Sequence, residues 1–137
     1  MNPEQIAIVR ETWARLQPQA DQVANRFYSR LFDLDPDLKP LFEADLEGQG
    51  ERCMQCVDAA VARLDQPEQF RAEAAERGAS HFFYSGNDDD FDNAGIAFLW
   101  ALERLLGPEF RLDVRAAWAE FFGELTDAIR EETAAAA

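Results

Sequence analysis

Residues Ala20 to Phe32 read Ala Asp Gln Val Ala Asn Arg Phe Tyr Ser Arg Leu Phe. Val23, Phe27, Tyr28, Leu31 and Phe32 recur at three- and four-residue intervals, which gathers them on one face of a helix; a strand would alternate at every second residue. The same period extends in both directions. Upstream, Asn2 Pro3 Glu4 Gln5 has the layout of a helix start, with Asn as N-cap, Pro at the first position and Gln three after the cap to reach back. Ile6, Val9, Trp13 and Leu16 then form one stripe until Pro18 breaks the run.

Downstream, Asp35 can cap and Pro36 can open a short helix whose length Pro40 limits, after which the chain is expected to turn through Leu41, Phe42, Glu43 and Ala44. From Asp45 to Leu64, one face carries Leu46, Gln49, Cys53, Val57, Ala60, Val61 and Leu64, so Gln49 is a polar member of an otherwise inward stripe. Pro67 opens a poorly apolar helix that is expected to run to about Tyr84 and to include His81. Gly86 to Asp90 form a loop and cap. Phe91, Ala94, Phe98, Leu102 and Leu105 define the next helix, which Gly107 Pro108 closes. The last helix spans about Asp113 to Glu132, with Trp118, Phe122, Leu125 and Ile129 inward. No segment alternates with period two over strand length and there is no internal repeat, so the fold class is all-α, with six or seven helices.

At 137 residues the chain has the length of one domain and can bury its own core. Thirteen basic against 27 acidic residues give a net charge of −14, which argues against nucleic acid or an anionic membrane surface as partner. No apolar run is long enough to span a membrane, and Met1 to Arg10 has no signal-peptide pattern, so a cytoplasmic protein is expected.

His81 is the only histidine. Imidazole is the commonest metal ligand among side chains, although a lone histidine is more often a surface or hydrogen-bonded core residue. Cys53 and Cys56 lack the following histidine of a c-type haem attachment, since Val57 stands there, and lack the strand beside a thioredoxin-like pair. They read as two small, semi-apolar helix residues. Asp88, Asp90 and Asp92 alternate like the start of a calcium loop, but Asn93 and Leu99 stand where Gly and Glu would be needed.

The pieces that remain are Phe27 Tyr28 Ser29 Arg30 Leu31 Phe32, Asp35 Pro36 Asp37 Leu38 Lys39 Pro40 Leu41 Phe42, His81, Leu99 Trp100 Ala101 Leu102 Glu103, and Arg115 Ala116 Ala117 Trp118. Together, in this order and over essentially the whole chain, they resemble the globin family. The likeness is greatest to single-domain bacterial haemoglobins and the haem domain of flavohaemoglobins. The resemblance implies a globin-like fold around a haem pocket, a globin domain over residues 1–132 and an Ala-rich tail at 133–137.

By that resemblance, His81 falls at the proximal haem ligand and Phe42 at the phenylalanine that packs on the porphyrin. Tyr28 and Gln49 fall on the ligand side, where bacterial globins use such a pair to hydrogen-bond dioxygen, and this accounts for the polar residue on the apolar stripe. Cys53, one turn after Gln49, should face the same pocket in place of the usual aliphatic residue, with Val57 next on the stripe. Arg52 is expected to reach a haem propionate. Phe91 stands where many bacterial relatives carry a tyrosine that joins a network around the proximal histidine. The implied cofactor is haem b. The implied function is reversible binding of dioxygen, nitric oxide and carbon monoxide, with tight oxygen binding expected. Nitric oxide dioxygenation with a separate reductase is an alternative, and a haem-based or haem-free sensor or interaction module is a third. A monomer or a homodimer fits each of these. With no second histidine, bis-histidine coordination within the chain is impossible.

Overall fold

The computed structural model describes the backbone of residues 1–81 and 88–136 and the side chains of residues 1–76 and 91–131. The α-helices among them are α1 (Pro3–Leu16), α2 (Ala20–Leu34), α3 (Lys39–Phe42), α4 (Leu46–Ala62), α5 (Pro67–His81), α6 (Asp88–Leu106) and α7 (Leu112–Ala136). Short 3₁₀ turns lie at Gln17–Gln19, Pro36–Leu38, Glu43–Asp45 and Gly107–Glu109, and the described residues contain no strand. The all-α reading of the sequence holds.

Local chemistry explains most boundaries. The Asn2 side chain accepts from the Gln5 backbone N–H at 2.8 Å while the Gln5 side chain accepts from the Asn2 N–H at 3.1 Å, a reciprocal cap that satisfies two otherwise orphaned donors. Gly107 ends α6 with φ +57, a left-handed conformation that a side chain would strain.

Packing joins α5 to α7, α2 to α6, α4 to α5, α1 to α7 and α2 to α4. Aromatic rings carry the centre. Trp13 meets Trp118 edge-on at 6.0 Å, Phe98 lies 5.8 Å from Trp118 and stacks on Phe122 at 5.4 Å, and Phe27 meets Phe98 at 6.0 Å. The indole donors buried among them are paired. Trp118 Nε1 donates to Thr12 Oγ1 at 2.8 Å, and Thr12 Oγ1 donates to the Ile8 carbonyl at 2.7 Å. Trp13 Nε1 donates to Asp58 Oδ1 at 2.5 Å.

The structure corrects the sequence reading in four places. Asp35 precedes the 3₁₀ turn without a side-chain cap bond. Pro40 does not limit a helix but sits in the first turn of α3, where its missing N–H is not needed, and the expected turn through Leu41 to Ala44 is helical. Leu46, read as inward, is 38% exposed at the first position of α4. The last helix also runs past the expected Glu132 to Ala136, through most of the Ala-rich tail.

Candidate functional site

The site begins where α2 crosses α4. A Cβ built at Gly50 would lie 3.3 Å from the Ala24 Cβ and 3.9 Å from the Tyr28 ring, so the two helices approach closely because position 50 has no side chain. That approach lays the Tyr28 ring along the first turns of α4. Its hydroxyl donates to the Gln49 backbone carbonyl at 3.4 Å, at the long end of the hydrogen-bond range.

Tyr28 is buried and forms part of an aromatic wall. Phe27 lies 5.0 Å from its ring, Phe42 5.5 Å and Phe32 5.9 Å, and Phe32 and Phe42 are themselves 5.8 Å apart. Phe42 ends α3, so the short helical segment from Pro36 to Phe42 serves to fold that ring back against α2. The sequence reading contained Tyr28 and Phe42 but missed Phe32 as a member of the wall, although it lies one helical turn from Tyr28.

On α4 the stripe continues from half-buried Gln49 to buried Cys53 and Val57. Burial pushes the Cys53 thiol well above its ordinary pKa, and the neighbouring Cys56 adds to that; the Tyr28 hydroxyl acts in the opposite direction. Both cysteines are free and buried, so Cys53 is a neutral S–H group rather than a nucleophile.

Other expected site residues sit differently. Arg52 is paired with Asp45 at 3.2 Å, and Asp45 also accepts from the Gly48 N–H, so this guanidinium is tied to the cap of its own helix. An approach to a propionate would require that pair to open. Phe91 is buried on α6 with the Arg130 guanidinium 4.5 Å from its ring centroid. The His81 side chain lies outside the described residues, although the α5 backbone runs to His81. Asp88 and Asp90 lie outside the described side chains too.

Tyr28, Phe42, Gln49 and Cys53 therefore come together, with Val57 one turn further along α4. The Tyr28 phenol stands in an otherwise apolar, aromatic wall beside the Gln49 backbone carbonyl. Among the described residues no group of three or more His, Cys, Asp or Glu could hold a metal ion by itself, and no helix is long and apolar enough to cross a membrane. A cleft of about 380 Å³ lined by residues including Leu64, Phe70, Arg71, Glu120, Glu124 and Asp127 contains none of the expected site residues.

Known proteins are similar to this chain over most of its length. The globin family profile matches residues 25–129. A flavohemoprotein of Deinococcus radiodurans is 26% identical over 130 residues, which cover 93% of this chain and 32% of that protein. The anaerobic nitrite reductase HBII of Casuarina glauca is 25% identical over 144 aligned positions, covering 94% of this chain and 90% of that protein. The chain thus spans about a third of the length of the flavohemoprotein it matches and nearly all of the plant protein.

Proposed function

The chain belongs to the globin family, and on that premise we propose that it is a haem b protein that reversibly binds dioxygen, and with it nitric oxide and carbon monoxide. The observation that carries this reading is the buried Tyr28 hydroxyl, held beside α4 at the edge of the Phe42 wall. A flat macrocycle needs an apolar, aromatic-lined slot, and a polarised diatomic ligand needs a donor in a place that excludes bulk water. The described residues fit both needs.

When bound, the haem supplies an iron with one open position for a gas. His81 would hold that iron, Phe42 would pack on the ring, and Val57 and Phe91 would belong to the apolar shell. Tyr28 Oη and the Gln49 side-chain amide would donate to the gas. A hydrogen bond to a charged acceptor contributes about 1.5–3 kcal/mol, or about ten- to a hundredfold in ligand retention.

The first experiment is the absorption spectrum of the purified protein, where a Soret band is expected and its absence after haem addition would leave only a haem-free interaction module. Replacement of His81 by Ala should then abolish stable haem retention; an unchanged ferrous spectrum in that variant would remove His81 from the role. Tyr28→Phe should speed oxygen dissociation about ten- to a hundredfold. An unchanged rate would take Tyr28 out of the ligand side.

The likeness to a flavohemoprotein supports a second reading, nitric oxide dioxygenation. One nitric oxide, one dioxygen and one electron give one nitrate, so a reductase must return that electron for each turn. Nitrate formation with a reductase present, well above that of free haem, would favour this reading over simple gas storage.

A further inference from the structure

The outer face of α2 carries Arg26, Arg30 and Asp33, and Asp37 continues the same line in the 3₁₀ turn that follows. At helical spacing these four form one stripe, basic in its first half and acidic in its second. Arg26, Asp33 and Asp37 are exposed and Arg30 is half-buried. None of the four makes an ion pair with a described side chain. Elsewhere, arginines are taken up by carboxylates of the same chain: Arg10 by Asp65 at 3.0 Å, Arg15 by Glu109 at 3.2 Å and Arg63 by Glu73 at 3.4 Å.

Asp33 lies one turn from Arg30, close enough for a pair along the helix. The guanidinium is instead turned to the Trp100 ring of α6, 5.5 Å from its centroid, with its Nε buried and without an acceptor. Arg104 approaches the same ring to 5.2 Å. Stacking on indole holds a guanidinium in place and leaves its terminal N–H groups able to take a carboxylate. One turn before Trp100, Ile96 is 52% exposed. Arginine, tryptophan and an exposed aliphatic side chain together have the composition of the centre of a protein interface.

We propose that this face docks a second copy of the chain, α2 against α2, antiparallel about a twofold axis. A basic half followed by an acidic half is complementary to its own reverse. Arg30 then faces Asp33 of the partner subunit, and Arg26 faces Asp37 of the partner subunit. Both pairs are centred on the step between Leu31 and Phe32, so one axis serves both. Trp100 and Ile96, beside the stripe on α6, supply apolar contact. A net charge of −14 on each copy opposes their encounter, so a contact between them has to be balanced locally, as this stripe is. The contact uses none of the pocket residues and is independent of the gas reading.

Sedimentation velocity of the purified protein tests this at physiological salt, where a Debye length of about 8 Å screens the long-range repulsion more than the contact pairs. A monomer–dimer equilibrium is expected. Arg30→Glu and Asp33→Arg should each shift it to monomer, and because the twofold repeats the pair, each reversal should weaken association at least about a hundredfold. An equimolar mixture of the two variants should associate again, since both facing pairs are then of opposite sign. The double variant, Arg30→Glu with Asp33→Arg, should do the same. Recovery in the mixture excludes misfolding as the cause of the loss. A parent chain that stays monomeric at about 1 mM overturns the proposal and leaves the face to a different partner. A dimer indifferent to the two reversals overturns it as well, and so does a mixture no more associated than either variant alone.

Discussion

Two buried polar clusters lie a few ring contacts apart and are built differently. In the core between α1 and α7, Trp118 donates to Thr12 at 2.8 Å, and the Thr12 hydroxyl lies 2.7 Å from the Ile8 carbonyl and 3.3 Å from that of Val9, so each donor has a short partner. At the crossing of α2 and α4, Tyr28 donates to the Gln49 carbonyl at 3.4 Å, near the limit of a hydrogen bond. Phe98 and Phe27 bridge the two clusters, with ring contacts of 5.8 Å to Trp118, 6.0 Å to each other and 5.0 Å to Tyr28. Committed hydrogen bonds hold a fold together. A loosely held donor is available to something else, and its cost to stability is small.

Substitutions can break that contrast. Trp118→Ala should have the largest effect, about 3–5 kcal/mol lost in urea unfolding, because it empties a large volume from the centre of the ring cluster. Thr12→Val should cost about 1–3 kcal/mol by leaving the Trp118 N–H buried without its acceptor. If it were neutral, the core chain would be no tighter than the site. Tyr28→Phe should cost less than about 1 kcal/mol while altering gas kinetics, the reverse of the Thr12 pattern.

Alkaline pH sharpens the comparison further. The buried Cys53 thiol holds its proton to a higher pH in the folded than in the unfolded state. The unfolded chain therefore gives up that proton first, so stability is full below the ordinary thiol range and falls as pH rises through it. Unfolding midpoints measured on both sides of that range should show the fall in the parent and a shallower one in Cys53→Val. Identical slopes would show that the thiol is not shielded as its burial implies.

Much of the fold was legible because it is local. The Asn2 cap, the stripe from Val23 to Phe32 and the Gly107 stop each depend on residues within one or two turns. Between Pro36 and Asp45 only the opening at Pro36 was legible, since three successive short helical turns have no period to read and prolines there open turns as easily as they end them. The exposure of Leu46, at the first position of α4, is something no stripe records. In the site, the polar Gln49 on an apolar face was a visible anomaly, but its pairing with Tyr28 joins positions 21 residues apart. The family resemblance named the two residues together, as side chains on the ligand side, and did not suggest this contact with the Gln49 backbone carbonyl. The Arg52 to Asp45 pair shows the converse, a local contact two turns long that spacing alone could have suggested and that competes with the longer-range role expected of Arg52.

Gly50 has a mechanical consequence. Because Ala24 would stand 3.3 Å from any Cβ placed there, the separation of the α2 and α4 axes is set by an empty position, and Tyr28 sits one turn along α2 from that fulcrum. A methyl group at residue 50 would pry the axes apart by a few tenths of an ångström, a shift that a packed interior transmits rather than absorbs. The phenol would swing away from the carbonyl by at least as much, across a distance where a hydrogen bond already near its limit fades steeply. On the proposed reading, residue 50 would touch neither the gas nor the macrocycle, yet its volume would be a lever on how long a gas stays.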